Sequence, residues 1–442
     1  MGIRAALSET VITPPVGIPL TGFMERDKVS QGVHDDLYAR ALVLEEGDEI
    51  ISIVSLDLVS VDREFVVSTR QLINEMTGIP EENIMIAATH IHSSPNGFLP
   101  GWGFKITKFP HVKFVRCRDI LMEPHAKVLR DYLRYKVAGL VYETYLKLED
   151  AKIGFRKCKI HKPICVNRDD PKGIFDPDLV VMIICDDRND VLGLLFNYAC
   201  HPTVLGYTNY LYSSDFLGYA IRLIKNSLGE DKIILFLNGA CGDVSTRFTR
   251  REQTFREAKR LGYILGTQVL LLAEETECNE NIEVRVASKE IVLPLRSLPK
   301  LEELEKEYER AKKHYRELRK KGASKGELRL AFVKLEGLRD QIERVKLGIS
   351  GGSVICELQS IRIGNSIFLG VPGELSSKIA INIKREAPVN TNVIIVGFAN
   401  GYLGYILPRE EYEKESYEAL MSLLDIDAAD ILYKESLELL NL

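Results

Sequence analysis

Residues 179–203, LVVMIICDDRNDVLGLLFNYACHPT, hold two apolar runs, Leu179–Cys185 and Leu192–Tyr198, on either side of a polar turn. Runs of this length with turn residues between them read as strands. They are continuously apolar rather than alternating, which suits strands covered on both faces. Two strands joined by so short a turn form a hairpin, so the sheet they belong to is mixed rather than purely parallel. The second run leads into His201, and the loop leaving an apolar strand is the usual address of a functional side chain in an α/β scaffold.

The same reading extends along the chain. Strands are expected at Ala41–Leu44, Ile50–Leu56, Asn83–Ala88, Lys232–Leu237, Ile282–Leu293, Val354–Ile363, Ser366–Leu369 and Asn392–Phe398. Helices are expected at Arg63–Thr77, Glu123–Leu148, Phe216–Leu228, Arg251–Glu275, Leu375–Glu386 and Tyr417–Leu440. In the fourth, Phe255, Ala258, Leu261, Leu265, Val269 and Leu272 recur at steps of three and four. The fold class is therefore α/β, with layered mixed β-sheets flanked by helices. Residues 298–349 stand apart. Leu304, Tyr308, Ala311, Tyr315 and Leu318, then Leu328, Phe332, Leu335, Leu338, Ile342 and Val345, follow helical spacing around a glycine-bearing turn. They predict an antiparallel helical hairpin inserted into a single catalytic domain formed by residues 1–297 and 350–442. A solvent-exposed arm packed on itself, a dimerisation element forming a homo-oligomer, and a flap over an active site all fit the pattern.

The 442 residues carry 58 basic and 63 acidic side chains, a net charge of −5. This balance lacks the clustered basic surface that nucleic-acid binding needs. At 45% apolar and 27% charged residues, collagen-like and disordered classes are excluded. No apolar window reaches transmembrane length, and the amino terminus shows no secretory pattern. The cytoplasm is the expected compartment, where the eight scattered cysteines are expected as buried thiols rather than bridges.

Several strand exits carry chemistry-bearing residues. Thr89-His90-Ile91-His92-Ser93 follows the strand at 83–88, and alternate residues of an extended chain share a side. His90 and His92 can be two metal ligands, or one ligand and one acid/base. Cys200-His201-Pro202 and Gly242-Asp243-Val244-Ser245 end two further strands, and Pro372-Gly373-Glu374 and Asn400-Gly401-Tyr402-Leu403-Gly404-Tyr405 end two more. No Gly-x-Ser-x-Gly elbow is present, which excludes an α/β-hydrolase. The aromatic stretch around Trp102 closely follows His92 and can wall an acyl chain. His34-Asp35-Asp36 and Asp57 are candidates for the rim of the site.

Taken in order, these motifs, together with Asn167-Arg168, resemble the catalytic domain of the neutral/alkaline (non-lysosomal) ceramidase family. The block from Tyr405 through Tyr412 to Tyr417-Glu418 resembles that family too. The resemblance implies sphingolipid-type amide hydrolysis with one Zn²⁺ per chain, held by His90, His201, Glu374 and Tyr405. It places His92, Arg168, Ser245 and Tyr417 in catalysis. Substrate contacts are expected from Gly22, Trp102 and Asp243. The chain departs from the family at Thr246-Arg247, which stands where the family has Pro-Asn, and in the helical arm.

Zinc accepts such mixed nitrogen and oxygen ligands and activates water. An amide's tetrahedral intermediate needs an oxyanion donor, and its leaving amine needs a proton. His92 is the favoured acid, and Ser245 is expected to orient the amide rather than attack it. The expected activity is metal-dependent hydrolysis of an N-acyl amine or lipid-like substrate. The alternatives are an ester or phosphoester hydrolase in which Arg168 and Arg247 hold an anion, and a non-catalytic protein that recruits partners through the arm.

Overall fold

The computed structural model describes residues 2–23, 25–95, 98, 124–280, 282–346, 348, 350–414 and 416–441. The larger sheet contains β1 (Arg4–Val11), β2 (Tyr38–Glu46), β3 (Glu49–Leu56), β4 (Ile84–Ala88), β5 (Glu149–Lys159), β6 (Asp178–Asp186), β7 (Val191–Tyr198) and β8 (Ile233–Asn238). Their order is β8-β7-β6-β5-β1-β2-β3-β4, and only β3–β4 and β7–β8 are parallel. A second sheet contains β9 (Val284–Pro294), β10 (Ser353–Ile363), β11 (Ser366–Gly370) and β12 (Asn392–Val396) in that order, with β11–β12 parallel.

The period-two geometry of a strand explains why these runs are continuously apolar. In β6, Leu179, Val181 and Ile183 enter one core, while Val180, Met182 and Ile184 enter another. In β4, Ile84, Ile86 and Ala88 are likewise separated from Met85 and Ala87. The first core is closed by α1 (Arg63–Thr77), α2 (Pro124–Leu146), α3 (Asp215–Leu228) and α4 (Phe255–Glu274). The second core lies between the sheets and takes Ile361, Phe368, Ile394 and Val396 from the smaller one. Val393 and Ile395 point the other way, into a third core, which helices farther along the chain complete. The layers thus run helices, sheet, sheet, helices, and the mixed-sheet expectation is borne out.

The arm comprises α5 (Leu301–Lys321) and α6 (Lys325–Lys346), which pack through Leu304, Ala311, Leu338 and Ile342. Ion pairs Lys334–Glu307 at 3.2 Å and Lys346–Glu305 at 3.1 Å fix their antiparallel register. Farther along the chain are α7 (Ser377–Glu386), α8 (Arg409–Glu413), α9 (Tyr417–Met421) and α10 (Ala428–Leu440), of which α7 and α10 cover the outer face of the smaller sheet. No helix among the described residues is long and apolar enough to cross a membrane.

Four expectations are corrected. The helix expected over Tyr417–Leu440 is two, α9 and α10, because Leu424 bridges to Leu295 in an antiparallel pair and Arg296 N–H donates to Leu423. The helix expected from Leu375 starts at Ser377, because Leu375 and the preceding Glu374 form a short parallel pair with Ile406 and Tyr405. The helix expected from Arg251 starts at Phe255, where the Thr254 side chain accepts from Glu257 N–H as its cap. Cys165 and Cys200 form a disulfide rather than standing as free thiols.

Candidate metal and catalytic site

Each histidine is placed by the strand that precedes it. Beyond β4, Thr89 N–H donates to Leu56 and His90 N–H to Leu58, both at 2.9 Å, which turns the chain so that His90 takes φ 66°. Phe398 (φ 60°) stacks on its ring at 4.0 Å, and Asn400 (φ 59°) lies two residues on. Left-handed backbone at non-glycine residues costs roughly 1–2 kcal/mol each, and such strain gathers where a site is over-determined by its surroundings. Beyond β7, His201 is held by β8. The buried Asn238 side chain donates to Thr89 O at 3.1 Å and Cys200 O at 3.0 Å, and accepts from Cys200 N at 3.1 Å. It thereby locks the two histidine-bearing exits together.

His90 Nδ1 donates to Val59 O at 2.7 Å, and His201 Nδ1 to Cys241 O at 2.6 Å. Those bonds place a proton on each Nδ1 and turn both Nε2 atoms inward. The two Nε2 atoms are 3.1 Å apart, and His92 Nε2 lies 3.2 Å from that of His90. Glu374 Oε2 stands 3.1 Å from His201 Nε2 and 3.6 Å from His90 Nε2, yet accepts no hydrogen bond. The other oxygen of that carboxylate accepts from the Tyr402 hydroxyl. Burial pulls the His90 pKa down to about 3 and that of His92 well below its ordinary value. Burial alone would raise Glu374, but His90 and His201 bring it down to about 2. Two carbonyl-anchored imidazoles thus turn their Nε2 atoms toward a carboxylate oxygen that has no donor, an arrangement that a cation resolves. His90, His92 and His201 form a group able to hold a metal ion, and the donors fit a nitrogen/oxygen-ligated divalent metal.

His92 differs from the other two histidines. Its Nδ1 is buried without a hydrogen-bond partner, and its ring packs against Gly22, where a Cβ would come within 2.6 Å of Cγ and Nδ1. Gly22 also has φ +97°, so no other residue fits without moving the ring. Gly22→Ala should lower kcat about 100-fold by displacing His92 while metal content stays at the parent level. Loss of metal from this variant, read by elemental analysis, would make His92 a ligand instead.

Arg168 lies buried between Tyr405 and Tyr417, its guanidinium 5.3 and 5.4 Å from their ring centres. It is ion-paired with the buried Glu418 and donates to Gly242 O at 2.6 Å. Although burial works against its charge, Glu418, Tyr405 and Glu374 hold its pKa well above normal. Burial raises the pKa of both tyrosines, so their hydroxyls stay protonated. Ser245 is buried beside them, pairs with Val166 across a short antiparallel bridge, and accepts from Arg247 N at 3.3 Å. A cavity of about 70 Å³ joins His92, His201, Ser245 and Tyr417. A larger groove of about 600 Å³ near Phe155 and Asn365 contains no histidine.

Of the expected substrate contacts, Gly22 lines the cavity. The Asp243 carboxylate accepts from Ser377 N at 2.9 Å, Ser377 Oγ at 2.8 Å and Ser376 Oγ at 3.1 Å, and so anchors the start of α7 below Glu374. Trp102 lies outside the described residues. Asp57 is spent on Arg40, Ser214 and Thr89, and His34 stacks on Phe255. Asn238, Tyr402 and Glu418 received no role from the sequence. Glu418 had no local signal, because its partner Arg168 is distant in the chain. The arm was not expected specifically at the site, yet Arg329 and Val333 of α6 line the cavity.

The model of the neutral/alkaline non-lysosomal ceramidase family, N-terminal, matches residues 7–254, more than half of the chain. The chain belongs to that family. A neutral ceramidase of Pseudomonas aeruginosa is 21% identical over 453 residues, covering 91% of this chain and 66% of its own length. One from Drosophila melanogaster is 24% identical over 244 residues, 52% of this chain and 34% of its own length. This ceramidase-family chain thus spans about a third of the Drosophila relative. The crystal structure of the Pseudomonas aeruginosa neutral ceramidase superposes with a TM-score of 0.73 at 18% identity, covering 100% of this chain and 74% of that one. The likeness extends to the fold, layered sheets and helices alike.

Proposed function

We propose that this protein hydrolyses the amide bond of an N-acyl amine, with one Zn²⁺ held by His90, His201, Glu374 and Tyr405. The observation that carries the reading is the convergence of two carbonyl-anchored imidazoles on a buried carboxylate oxygen that has no donor. Tyr405 joins the set as the register partner of Glu374 across their short parallel pair. When bound, the ion polarises the scissile carbonyl and supplies a water nucleophile at neutral pH.

The remaining work falls to side chains around the cavity. His92 lacks a carbonyl anchor on Nδ1, so it is the imidazole able to exchange a proton and pass it to the leaving amine. The protonated Tyr417 hydroxyl donates to the carbonyl oxygen as charge develops there. Ser245 orients the amide from the cavity wall. Arg168, already committed to Glu418 and Gly242, holds the two tyrosines in place. The arm is assigned to the cavity wall rather than to a homo-oligomer interface, because Arg329 and Val333 face the site.

The test is release of free amine from N-acylsphingosine and N-acylethanolamine by the zinc-loaded protein, with chelation and zinc add-back. Turnover that chelation abolishes and zinc restores supports the reading. Cleavage of a phosphoester such as p-nitrophenyl phosphate with no amide turnover would overturn it.

A further inference from the structure

The cavity wall opposite the histidines is cationic. Arg247 and Arg250 follow Ser245 closely, and Arg329 is brought in by α6. Arg247 is tethered through one nitrogen to Arg168 O at 3.0 Å, and Arg250 through one to Thr203 O at 2.6 Å and Thr246 Oγ1 at 3.1 Å. Among the described residues no carboxylate oxygen lies within 4.0 Å of either guanidinium, while Glu25, which also lines the cavity, stands 4.0 Å from Arg329. Arg168 does not share this property, since Glu418 neutralises it. Partial burial, then the charges of Arg329 and Arg168, lower the pKa of Arg247, with Asp169 and Glu418 working the other way. Arg250 is lowered by burial and by Arg247 and Arg329, with Asp215 working the other way. The Asp215 carboxyl is itself raised to about 7 by burial, and its oxygens accept from Leu205 and Phe216 N–H.

Three like charges with only loosely placed counter-charges are unfavourable unless a ligand supplies more of the opposite sign. Guanidinium forks suit carboxylate and phosphate oxygens. The space beside them is about 70 Å³, well under the ~300–1,000 Å³ typical of a pocket that swallows a drug-sized ligand. It takes a compact polar end rather than a hydrocarbon chain.

Resting on the amidase reading above, we propose that the substrate of this site is an N-acyl amine bearing an anionic group, bound by Arg247, Arg250 and Arg329. The inserted hairpin then serves as a specificity element, since it supplies one of the three cations.

The experiment compares zinc-loaded parent, Arg247→Gln and Arg329→Gln on three substrates with one acyl chain: N-acylglycine, N-acylphosphoethanolamine and neutral N-acylethanolamine. The first two distinguish carboxylate from phosphate as the anion. The parent should favour one anionic substrate over the neutral one in kcat/KM. That preference should fall roughly 10- to 100-fold in each variant, mainly through KM. Arg329→Lys should recover part of it, and thermal melts identical to the parent's would exclude misfolding. Equal use of neutral and anionic amides, unchanged by either variant, would overturn the anion site and leave the amidase reading standing. If no amide is cleaved, calorimetric binding of N-acetylglycine and of inorganic phosphate to the metal-free protein still decides. Binding weakened by both variants supports the anion site; no binding to the parent overturns it.

Discussion

Replacing His201 with alanine should reduce metal from about one ion per chain to near zero and cut amide hydrolysis by at least ~10³-fold. The magnitude follows because a bound metal contributes several kcal/mol of transition-state stabilisation, with every 1.36 kcal/mol worth tenfold in rate. The loss should be this complete because His201 is one of two imidazoles oriented by backbone carbonyls, and its neighbours cannot swing into the vacated place. Asn238 holds Cys200 and Thr89, so the exits stay apart when the imidazole is gone. His34→Ala, at a histidine stacked on Phe255 away from the cavity, is the control that should keep its metal. Elemental analysis of the protein as purified makes the comparison. Metal retained by His201→Ala would remove this centre from the molecule's chemistry.

The second large effect is expected on stability. Arg168 and Glu418 are both buried, at 8% and 2% exposure, and removing one strands the other as an uncompensated charge. Breaking such a pair costs ~3–5 kcal/mol. Arg168→Met and Glu418→Gln should therefore each lower the denaturant midpoint markedly. The double variant Arg168→Met/Glu418→Leu should be less damaged than the sum of the two, because no charge is left unpaired. Its catalysis should stay impaired, since Tyr405 and Tyr417 lose the cation between them. Additive losses in urea titrations would show that the pair does not act as a unit.

Much of the fold was legible because period-two burial leaves its mark locally. A strand such as β6 that feeds two cores must be apolar at every position, and the sequence shows that directly. The edges of this pattern were harder. β1 and β5 mix charged and apolar residues with partial exposure and were not recognised as strands. The break between α9 and α10 was hidden by Leu423 and Leu424, which continue a helical spacing but are captured by Leu295 and Arg296. The histidines were legible because each directly follows a strand. Glu374 was visible as a residue but not as a strand residue, since its partner Tyr405 lies beyond α7 and β12. The arm's amphipathic pattern showed which face is buried, and pattern alone does not name what buries it.

The acceptor cluster draws on both sheets. His90 and His201 leave β4 and β7 of the larger sheet, whereas Glu374 follows β11 of the smaller one. The core between the sheets interlocks Met85 and Leu195 with Phe368 and Ile394, directly behind those strand exits. Separating these three side chains by more than local breathing requires that apolar seam to part. The site is therefore not a low-stability opening unit. Its integrity is set by the cohesion of two sheets, and a substitution deep in the seam, such as one at Phe368, reaches the chemistry without touching a single polar group.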